Sequence, residues 1–254
     1  MSQLERQQNI LNALKSHPSL SIKELSKLFY ASEASIRRDV FQLEKQGLVT
    51  HQYGGVALTG YRNAVTPLNI RDEENAAVKE RIALQAASLV RNGDTLFADS
   101  SSTVRRMLQY LIGKQNIRII TNNQRIFSDY GQTDLKLYCT GGTYNPKNHN
   151  FLGADAEAYI RHVSADIVFF SSQGLSEKGD INDVSEEETS LRRVMISRAK
   201  RKVFLCDSSK IGVSRIFTLC NIAEVDDILC DQPEKIEKIR QNMYKEKAET
   251  ASLQ

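Results

Sequence analysis

The stretch from Ser32 to Gly47 constrains the fold more than any other part of the chain. Ser32 is a favourable helix N-cap, and Gly47 suits the left-handed conformation that ends many helices. Ile36, Val40 and Leu43 recur at helical spacing and predict one narrow apolar stripe. The opposite side has hydrogen-bond donors and no carboxylate, at Ser35, Arg38, Gln42 and Lys45. Such a helix suits insertion into a DNA major groove, although an ordinary solvated helix can have the same pattern.

The flanking segments predict a winged helix-turn-helix around this stretch. Ser21 and Glu24 form a capping-box pattern at the start of a short amphipathic helix. Only a tight turn then separates that helix from the Ser32 cap, which is helix-turn-helix spacing. Another helix comes first and ends at His17, and a hairpin around Gly54-Gly55 follows the pair. Three helices and a hairpin wing are therefore expected.

The segment Ser32–Val40 resembles the signature of the DeoR family of bacterial transcriptional regulators, with Ser35 in place of the usual threonine. The segment from Gly47 to Gly55 resembles that family's wing, but His51 and Tyr53 replace its arginine and histidine. Phe41 lies on the side away from the apolar stripe. The resemblance implies that double-stranded operator DNA is a partner. We assign its contacts to Ser21, Ser32, Ser35, Arg37, Arg38, Gln42, Lys45, His51, Gln52 and Tyr53.

Length and cysteine spacing limit the other possibilities. With 254 residues, we predict a domain over 1–60, a linker over 61–75 and a larger domain over 76–254. The chain has no apolar run that could span a bilayer and no signal-peptide pattern, so we expect a cytoplasmic protein without a membrane partner. The four cysteines are widely separated, so we expect neither a metal site nor a disulfide framework, and we expect no cofactor.

The charge of the N-terminal domain is small for a DNA-binding unit. Residues 1–60 contain seven Lys and Arg against five Asp and Glu, within a net charge of +3 for the whole chain. Nonspecific affinity for DNA grows with the number of phosphates neutralised, so one such domain is expected to bind weakly. We therefore expect the chain to associate with itself as a dimer or tetramer.

Beyond the wing, a helical segment over 69–90 leads into alternating strands and helices. This alternation predicts a mainly parallel sheet covered by helices, and so an α/β fold class. The predicted strands cover 95–98, 118–121, 135–139, 167–170, 202–206 and 227–230. The predicted helices cover 103–111, 123–130, 154–163, 185–199 and 233–246.

Polar or glycine-rich loops follow the first five predicted strands, where α/β proteins bind their ligands. Hydroxyls and backbone N–H groups from Asp99 to Thr103 could hold a phosphate, although helix capping alone explains the same pattern. Gly141-Gly142 allows a ligand to approach the backbone, or simply makes a turn. Lys210 could pair with a phosphate as a point charge.

These loops also resemble the DeoR C-terminal domain. The block Asp207-Ser208-Ser209-Lys210 matches the family, and Glu188…Arg192 resembles its Glu-x-x-x-Lys helix. Ser100 replaces a usual glycine, and Ser171-Ser172-Gln173 replaces a commoner Gly-x-Asp. The resemblance implies a fold like ribose-5-phosphate isomerase and a sensor for a phosphorylated sugar or related metabolite. We assign effector binding to Asp99, Ser100, Ser101, Ser102, Thr103, Thr121, Asn122, Gly141, Gly142, Gln173, Gly174, Glu188, Asp207 and Lys210.

Three functions are compatible with these patterns. The leading prediction is a non-enzymatic repressor of a carbohydrate operon that is controlled by a phosphorylated sugar. A sugar-phosphate isomerase with a DNA-binding head would need a carboxylate base, for which Asp99, Asp207 and Glu188 are candidates. A structural adaptor that uses its sheet only to form oligomers is disfavoured by the polar loops.

Overall fold

The computed structural model describes residues 1–17, 19–52, 55–59 and 68–251. The chain divides into two compact units, Met1–Glu74 and Asn75–Gln254. Residues 61–67 of the predicted linker lie outside the described residues, and residues 68–73, which the prediction also placed in that linker, form a helix.

The N-terminal unit has three helices, a two-stranded wing and a fourth short helix. Their bounds are α1 Gln3–Ser16, α2 Ile22–Leu28, α3 Glu33–Lys45, β1 Val49–Gln52, β2 Gly55–Leu58 and α4 Leu68–Glu73. The two strands pair in antiparallel orientation. The predicted winged helix-turn-helix is confirmed in these elements.

The helices of this unit begin and end where local chemistry favours it. Ser21 and Ser32 each accept a hydrogen bond from the backbone N–H three residues later, which satisfies a donor that the helix leaves free. Gly47 has φ of +73°, the left-handed conformation that ends α3. The apolar stripe of α3 packs against α1, α2 and the wing in one core that includes Ile10, Leu14, Leu25, Ile36, Val40, Leu43 and Val56.

A buried ion pair joins α1 to α3. The Nε of Arg6 lies 2.5 Å from Oδ2 of Asp39, whose side chain is fully buried. A buried carboxylate is strongly unfavourable unless a counter-charge accompanies it. The pair therefore fixes α3 against α1.

The predicted helix over 69–90 is wrong at one point, because the chain leaves helical geometry at Glu74 and Asn75. The second helix, α5, covers Ala76–Ser88. Asn75 has φ of +55°, a left-handed conformation that asparagine tolerates better than most residues. Its side-chain Nδ2 donates to Oδ1 of Asp207 at 3.1 Å. The partner of this contact lies 132 residues away, so the periodicity of the local sequence does not reveal the break.

The C-terminal unit is built around a six-stranded parallel sheet. After α5 its elements are β3 Thr95–Ala98, α6 Ser102–Met107, β4 Arg118–Thr121, α7 Gln124–Tyr130, β5 Lys136–Cys139, β6 Thr143–Asn145, β7 Asn150–Leu152, α8 Ala154–Arg161, β8 Ala165–Phe170, β9 Gly174–Leu175, β10 Asp180–Asp183, α9 Glu186–Ser197, β11 Ala199–Cys206, β12 Phe217–Asn221, β13 Asp227–Cys230 and α10 Pro233–Ala251. The strand order is β13-β11-β8-β3-β4-β5, and all neighbours run parallel.

The predicted α/β class is confirmed, and the sheet order contains a topological switch point. From β3 the chain proceeds through β4 to β5 on one side, and then returns to β8, β11 and β13 on the other. The direction of winding thus reverses between β3 and β8. Ligands of parallel α/β sheets bind outside the carboxyl ends of the strands at such a switch point.

Both faces of the central strands are covered, as their continuous apolar sequences indicate. Alternate residues of β3 and β8 enter different cores, Phe97 and Phe170 on one face and Leu96 and Phe169 on the other. Five short antiparallel strands were not predicted. They form the three-stranded sheet β12-β10-β9 and the hairpin β6-β7.

Candidate DNA-binding surface and ligand site

The surface of α3 that faces away from the core is centred on a different line from the predicted one. Because a helix turns by about 100° per residue, the exposed residues Ala34, Arg38, Phe41 and Lys45 lie opposite the apolar stripe. Gln42 lies to one side and faces α1, where its Oε1 accepts a hydrogen bond from Nε2 of Gln7 at 2.9 Å. The exposed line therefore includes Phe41, which the predicted donor stripe left out.

The two arginines of α3 are both exposed. Arg37 makes one exposed ion pair with Glu33, 3.3 Å from NH2 to Oε2. Within the described part of the chain, Arg38 makes only long contacts inside its own helix, to the hydroxyl of Ser35 at 3.5 Å and to the carbonyl oxygen of Ala34 at 3.4 Å. Exposed pairs of this kind stabilise a protein by less than about 1 kcal/mol, so both guanidinium groups can turn towards another partner.

Three predicted DNA-contacting serines already have local hydrogen bonds. The hydroxyls of Ser21 and Ser32 cap α2 and α3, and the hydroxyl of Ser21 also donates to Oε2 of Glu24 at 2.7 Å. The hydroxyl of Ser35 lies 3.0 Å from that of Ser32. These side chains fix the start of each helix, so any contact they make with DNA is additional to capping.

In the wing, His51 is exposed and its Nε2 lies 3.7 Å from Oε2 of Glu44 on α3. Gln52 is the last residue of β1. Tyr53, the third predicted wing contact, lies outside the described residues.

At the carboxyl ends of the parallel strands, a buried arginine binds three carboxylates. Arg192 of α9 donates from Nε to Asp99 Oδ2 at 2.8 Å, from NH1 to Asp183 Oδ2 at 2.8 Å and from NH2 to Glu188 Oε2 at 2.9 Å. All four side chains are at most 4% exposed. Burial alone would lower the pKa of Arg192, but the three carboxylates raise it above its ordinary value. The guanidinium is therefore a permanent cation that ties α9 to the ends of β3 and β10.

Asp99 also holds two loop backbones in place. Its Oδ1 accepts from the N–H of Ser101 at 2.9 Å, and its Oδ2 accepts from the N–H of Ser171 at 3.1 Å. Together with Arg192, these bonds occupy both carboxylate oxygens. Asp99 therefore connects the loop after β3 to the loop after β8.

Lys210 and Asp207 continue the network on the other side of Ser171. The Nζ of Lys210 donates to the hydroxyl of Ser171 at 2.8 Å and lies 3.3 Å from Oδ2 of Asp207. Burial alone would raise the pKa of Asp207, but Lys210, the hydroxyl of Ser209 and Lys79 lower it to about 2. Asp207 is therefore ionised at neutral pH and neutralises the lysine.

A pair of asparagines from the β6–β7 hairpin completes the site. Asn148 and Asn150 each donate from Nδ2 to Oε1 of Glu188, at 2.7 Å and 2.8 Å, and Asn150 also donates to the hydroxyl of Ser100 at 2.9 Å. In the loop after β4, Asn122 donates from Nδ2 to the carbonyl oxygen of Phe151 at 3.1 Å.

These donor bonds determine how each carboxamide is oriented. Each Nδ2 faces an acceptor, so each Oδ1 must point the other way. The Oδ1 atoms of Asn122, Asn148 and Asn150 are buried and find no hydrogen-bond partner among the described residues. Leaving a buried acceptor unpaired costs about 1–3 kcal/mol, so this site favours a molecule that donates hydrogen bonds.

The sequence matches two family models. Residues 74–232 match the DeoR C terminal sensor domain, and residues 6–60 match the DeoR-like helix-turn-helix domain. The chain belongs to the DeoR family of transcriptional regulators.

Relatives resemble this DeoR-family regulator along nearly its whole length. The HTH-type transcriptional regulator GolR of Listeria innocua is 28% identical over 96% of this chain and 95% of its own. The glycerol-3-phosphate regulon repressor of Escherichia coli K12 is 27% identical over 92% of each chain. YgbI of Escherichia coli K12, an uncharacterised HTH-type regulator, is 30% identical over 91% of each chain.

Solved structures resemble the chain at low sequence identity. A ribose 5-phosphate isomerase A from Methanocaldococcus jannaschii has a TM-score of 0.42 and 16% identity, covering 54% of this chain and 55% of its own. No helix within the described ranges is long and apolar enough to cross a membrane.

Some predicted effector residues of the DeoR-family protein have roles within the protein. A Cβ on Gly142, whose φ is +100°, would lie 2.5 Å from the carbonyl oxygen of Leu152, so this glycine allows two segments to pack. A Cβ on Gly174 would lie 2.5 Å from Oδ1 of Asn182 in the small antiparallel sheet. Ser101 caps α6, and the hydroxyl of Thr121 accepts from the N–H of Asn123.

Other predicted effector residues have buried polar atoms that are not used in hydrogen bonds within the described part of the chain. Thr103 Oγ1 and Gln173 Nε2 are buried without a partner in the described part of the chain. Ser102 is buried, whereas nothing lies within 4 Å of a Cβ built on Gly141.

The prediction did not include Asp183, Asn148 and Asn150. An Asn-His-Asn run between two candidate strands was the signal for the last two.

Proposed function

We propose that this DeoR-family regulator is a repressor of a carbohydrate operon, that it binds operator DNA through α3, and that a phosphorylated sugar or related metabolite controls it. The observation that supports the DNA contact most directly is the exposed line of α3, which has basic residues and no acid. The relatives named as repressors of a glycerol-3-phosphate regulon and an aga operon support the proposed class of regulated genes.

The DNA contact is tested with a double substitution, Arg37→Ala with Arg38→Ala. Neither side chain is in the core, so the fold should be unchanged. If either guanidinium makes a bidentate bond with guanine, specific binding should weaken by about 1–3 kcal/mol for each arginine that does so. The matched control, Arg81→Ala with Arg91→Ala, removes two exposed charges from the C-terminal unit and should leave the footprint unchanged. A full footprint from the Arg37/Arg38 variant would exclude α3 from the groove.

For the metabolite, we propose two groups of contacts at the switch point of the sheet. The unpaired carboxamide oxygens of Asn122, Asn148 and Asn150 suit sugar hydroxyls, which donate hydrogen bonds. Lys210 suits the phosphate, because a dianion can replace Ser171 and compete with Asp207 for the same ammonium group. Asp99 and Glu188 then act as positioning residues, because Arg192 occupies both of them.

A thermal-shift screen of phosphorylated sugars tests this site, since a ligand that binds only the folded state stabilises it by mass action. Lys210→Ala should abolish the response to any ligand found, while operator binding by the N-terminal unit is kept. The control is Lys200→Ala. This variant also removes a lysine that forms an ion pair in the C-terminal unit, because the Nζ of Lys200 lies 2.9 Å from Oδ1 of Asp166. If Lys210→Ala responds at the wild-type concentration, the lysine is not part of the site.

The enzyme alternative is disfavoured by the state of its candidate bases. A catalytic base must be free to take a proton from substrate. Asp99 and Glu188 are bound to Arg192, and Asp207 is held ionised by Lys210, with its pKa lowered to about 2. Slow isomerisation of a phosphosugar by the wild type, lost in Asp99→Asn, would reverse this conclusion.

We also propose that the working form is at least a dimer. A symmetric pair of N-terminal units doubles the small positive charge that each presents and fits two half-sites. Light scattering of the protein bound to its operator tests this. High-affinity binding by a single chain would contradict it.

A further inference from the structure

Phe41 is an exposed aromatic residue on a helix face that is otherwise basic. It is 65% exposed, although full burial is the usual position of a phenylalanine. It lies in an open cleft with Gln3 of α1, with Arg37, Arg38, Gln42 and Lys45 of α3, and with Gln46 just after that helix. No carboxylate lines that cleft among the described residues.

The position of Phe41 does not serve the core. The residue before it, Val40, is buried, and Phe41 itself points away from the stripe that packs α3 against the rest of the unit. A single exposed apolar side chain is ordinary on a protein surface. This one is flanked by Arg38 one turn before it and Lys45 one turn after it on the exposed line, so its expected partner is anionic and also offers an apolar group.

We propose that Phe41 contacts the 5-methyl group of a thymine in the operator and so determines specificity at that base pair. In the major groove, this methyl is the apolar group among the base edges, and phenylalanine is one of the side chains that contact it. Arg38 and Lys45 hold the neighbouring bases and phosphates, which brings Phe41 to the depth of the base edge. The inference rests on the proposed placement of α3 in the groove, and adds a specific base contact to it.

The test compares thymine with uracil, because these bases differ only in the methyl group. The full chain first selects a binding site from random duplex DNA. Duplexes of that site are then made with one thymidine at a time replaced by deoxyuridine, and their affinities are measured for wild type and for Phe41→Ala. For the wild type, replacing thymine by uracil at one position in each half-site should lower the affinity about fourfold. That ratio corresponds to the free energy of burying one methyl-sized group. For Phe41→Ala, thymine and uracil should bind equally at that position.

Two further variants separate a methyl contact from a general effect on the unit. Phe41→Leu keeps an apolar side chain and should keep a preference for thymine, whereas Phe41→Gln should lose it. Leu28→Ala removes an apolar side chain of α2 that is 52% exposed, and should leave the ratio of thymine to uracil unchanged. Circular dichroism and thermal unfolding of each variant confirm that the N-terminal unit is folded.

The outcomes distinguish this inference from the proposed function. A chain that selects no site from the pool overturns the function itself. A selected site that loses affinity in the Arg37/Arg38 variant, but shows no uracil effect that depends on residue 41, overturns only the thymine contact. A change in oligomeric state in Phe41→Ala, without a change in the thymine-to-uracil ratio, would instead show that Phe41 contacts a second copy of the chain.

Discussion

Replacing Arg192 with methionine should destabilise the C-terminal unit more than any surface substitution. The side chain of Arg192 is 4% exposed and makes charged hydrogen bonds of 2.8–2.9 Å to three carboxylates. Methionine keeps an unbranched apolar stem but leaves Asp99, Asp183 and Glu188 buried together without the guanidinium cation. Removing one partner of a buried ion pair or network costs about 3–5 kcal/mol, so we expect a loss of about 4 kcal/mol.

Arg192→Lys tests how much of that effect depends on the shape of the guanidinium group. Lysine is the residue of the Glu-x-x-x-Lys pattern that this helix resembles, and it keeps the positive charge. Its ammonium is a single point, whereas the planar guanidinium directs separate N–H groups at separate carboxylates. We expect a loss of about 2 kcal/mol, roughly one charged hydrogen bond. For a unit of this size, each kcal/mol lowers Tm by about 2–4 °C.

Urea unfolding of the full chain measures both losses, with the transition of the N-terminal unit as an internal control. Arg198→Met is the matched surface control, because Arg198 is exposed and its guanidinium donates, among the residues described, only to the Val163 carbonyl and the Ser164 hydroxyl. It should change stability by less than about 0.5 kcal/mol. Adding Asp183→Asn and Glu188→Gln to Arg192→Met should recover part of the loss. If Arg192→Met costs no more than Arg198→Met, the buried charge network does not stabilise the fold.

Three other predictions concern single contacts. Because the pKa of Asp207 is lowered from 3.8 to about 2, its stabilising effect is present above pH 4 and is lost as pH falls towards 2. The free energy of unfolding of the wild type should therefore fall by about 2 kcal/mol more over that interval than that of Asp207→Asn. Equal pH slopes of the two proteins in urea unfolding would contradict this. Arg6→Met leaves the buried Asp39 without its cation and should lower the stability of the N-terminal unit by about 3 kcal/mol, whereas the exposed Arg38→Met should not. Gly142→Ala places a Cβ 2.5 Å from the Leu152 carbonyl oxygen and should destabilise more than Gly141→Ala, which meets nothing within 4 Å; equal changes in Tm would exclude the close approach.

The sequence predicted the elements whose formation depends on local chemistry. Ser21 and Ser32 begin helices because their hydroxyls accept nearby N–H groups, and that pattern is visible within four residues. The central parallel strands β3, β4, β8 and β11 carry the clearest signal, because strands buried on both faces form continuous apolar runs, whereas the edge strands β5 and β13 are less buried. The strand β10 was missed because its sequence, Asp180-Ile181-Asn182-Asp183, is mostly polar and resembles a loop.

Side-chain roles that depend on distant partners could not be predicted in the same way. Gln42 belongs to the predicted donor stripe, but Gln7, 35 residues away, uses its carbonyl oxygen. Asp99 was expected to bind the effector, yet its oxygens accept from Ser101, Ser171 and Arg192, and the last is 93 residues away. A candidate carboxylate in a loop looks the same in sequence whether it faces a ligand or an arginine.

Thermodynamic linkage connects the two proposed sites without any assumption about how the units are arranged. If a metabolite changes operator affinity by some factor, the operator must change metabolite affinity by the same factor. The affinity for the metabolite is therefore measured with and without operator. If operator weakens metabolite binding, the metabolite releases DNA, and if operator strengthens it, the metabolite strengthens DNA binding. In the Arg37/Arg38 variant, metabolite binding should persist but become independent of operator. In Lys210→Ala, both effects should vanish together, whereas unequal factors in the wild type would show that a third state, such as a change in oligomer, takes part.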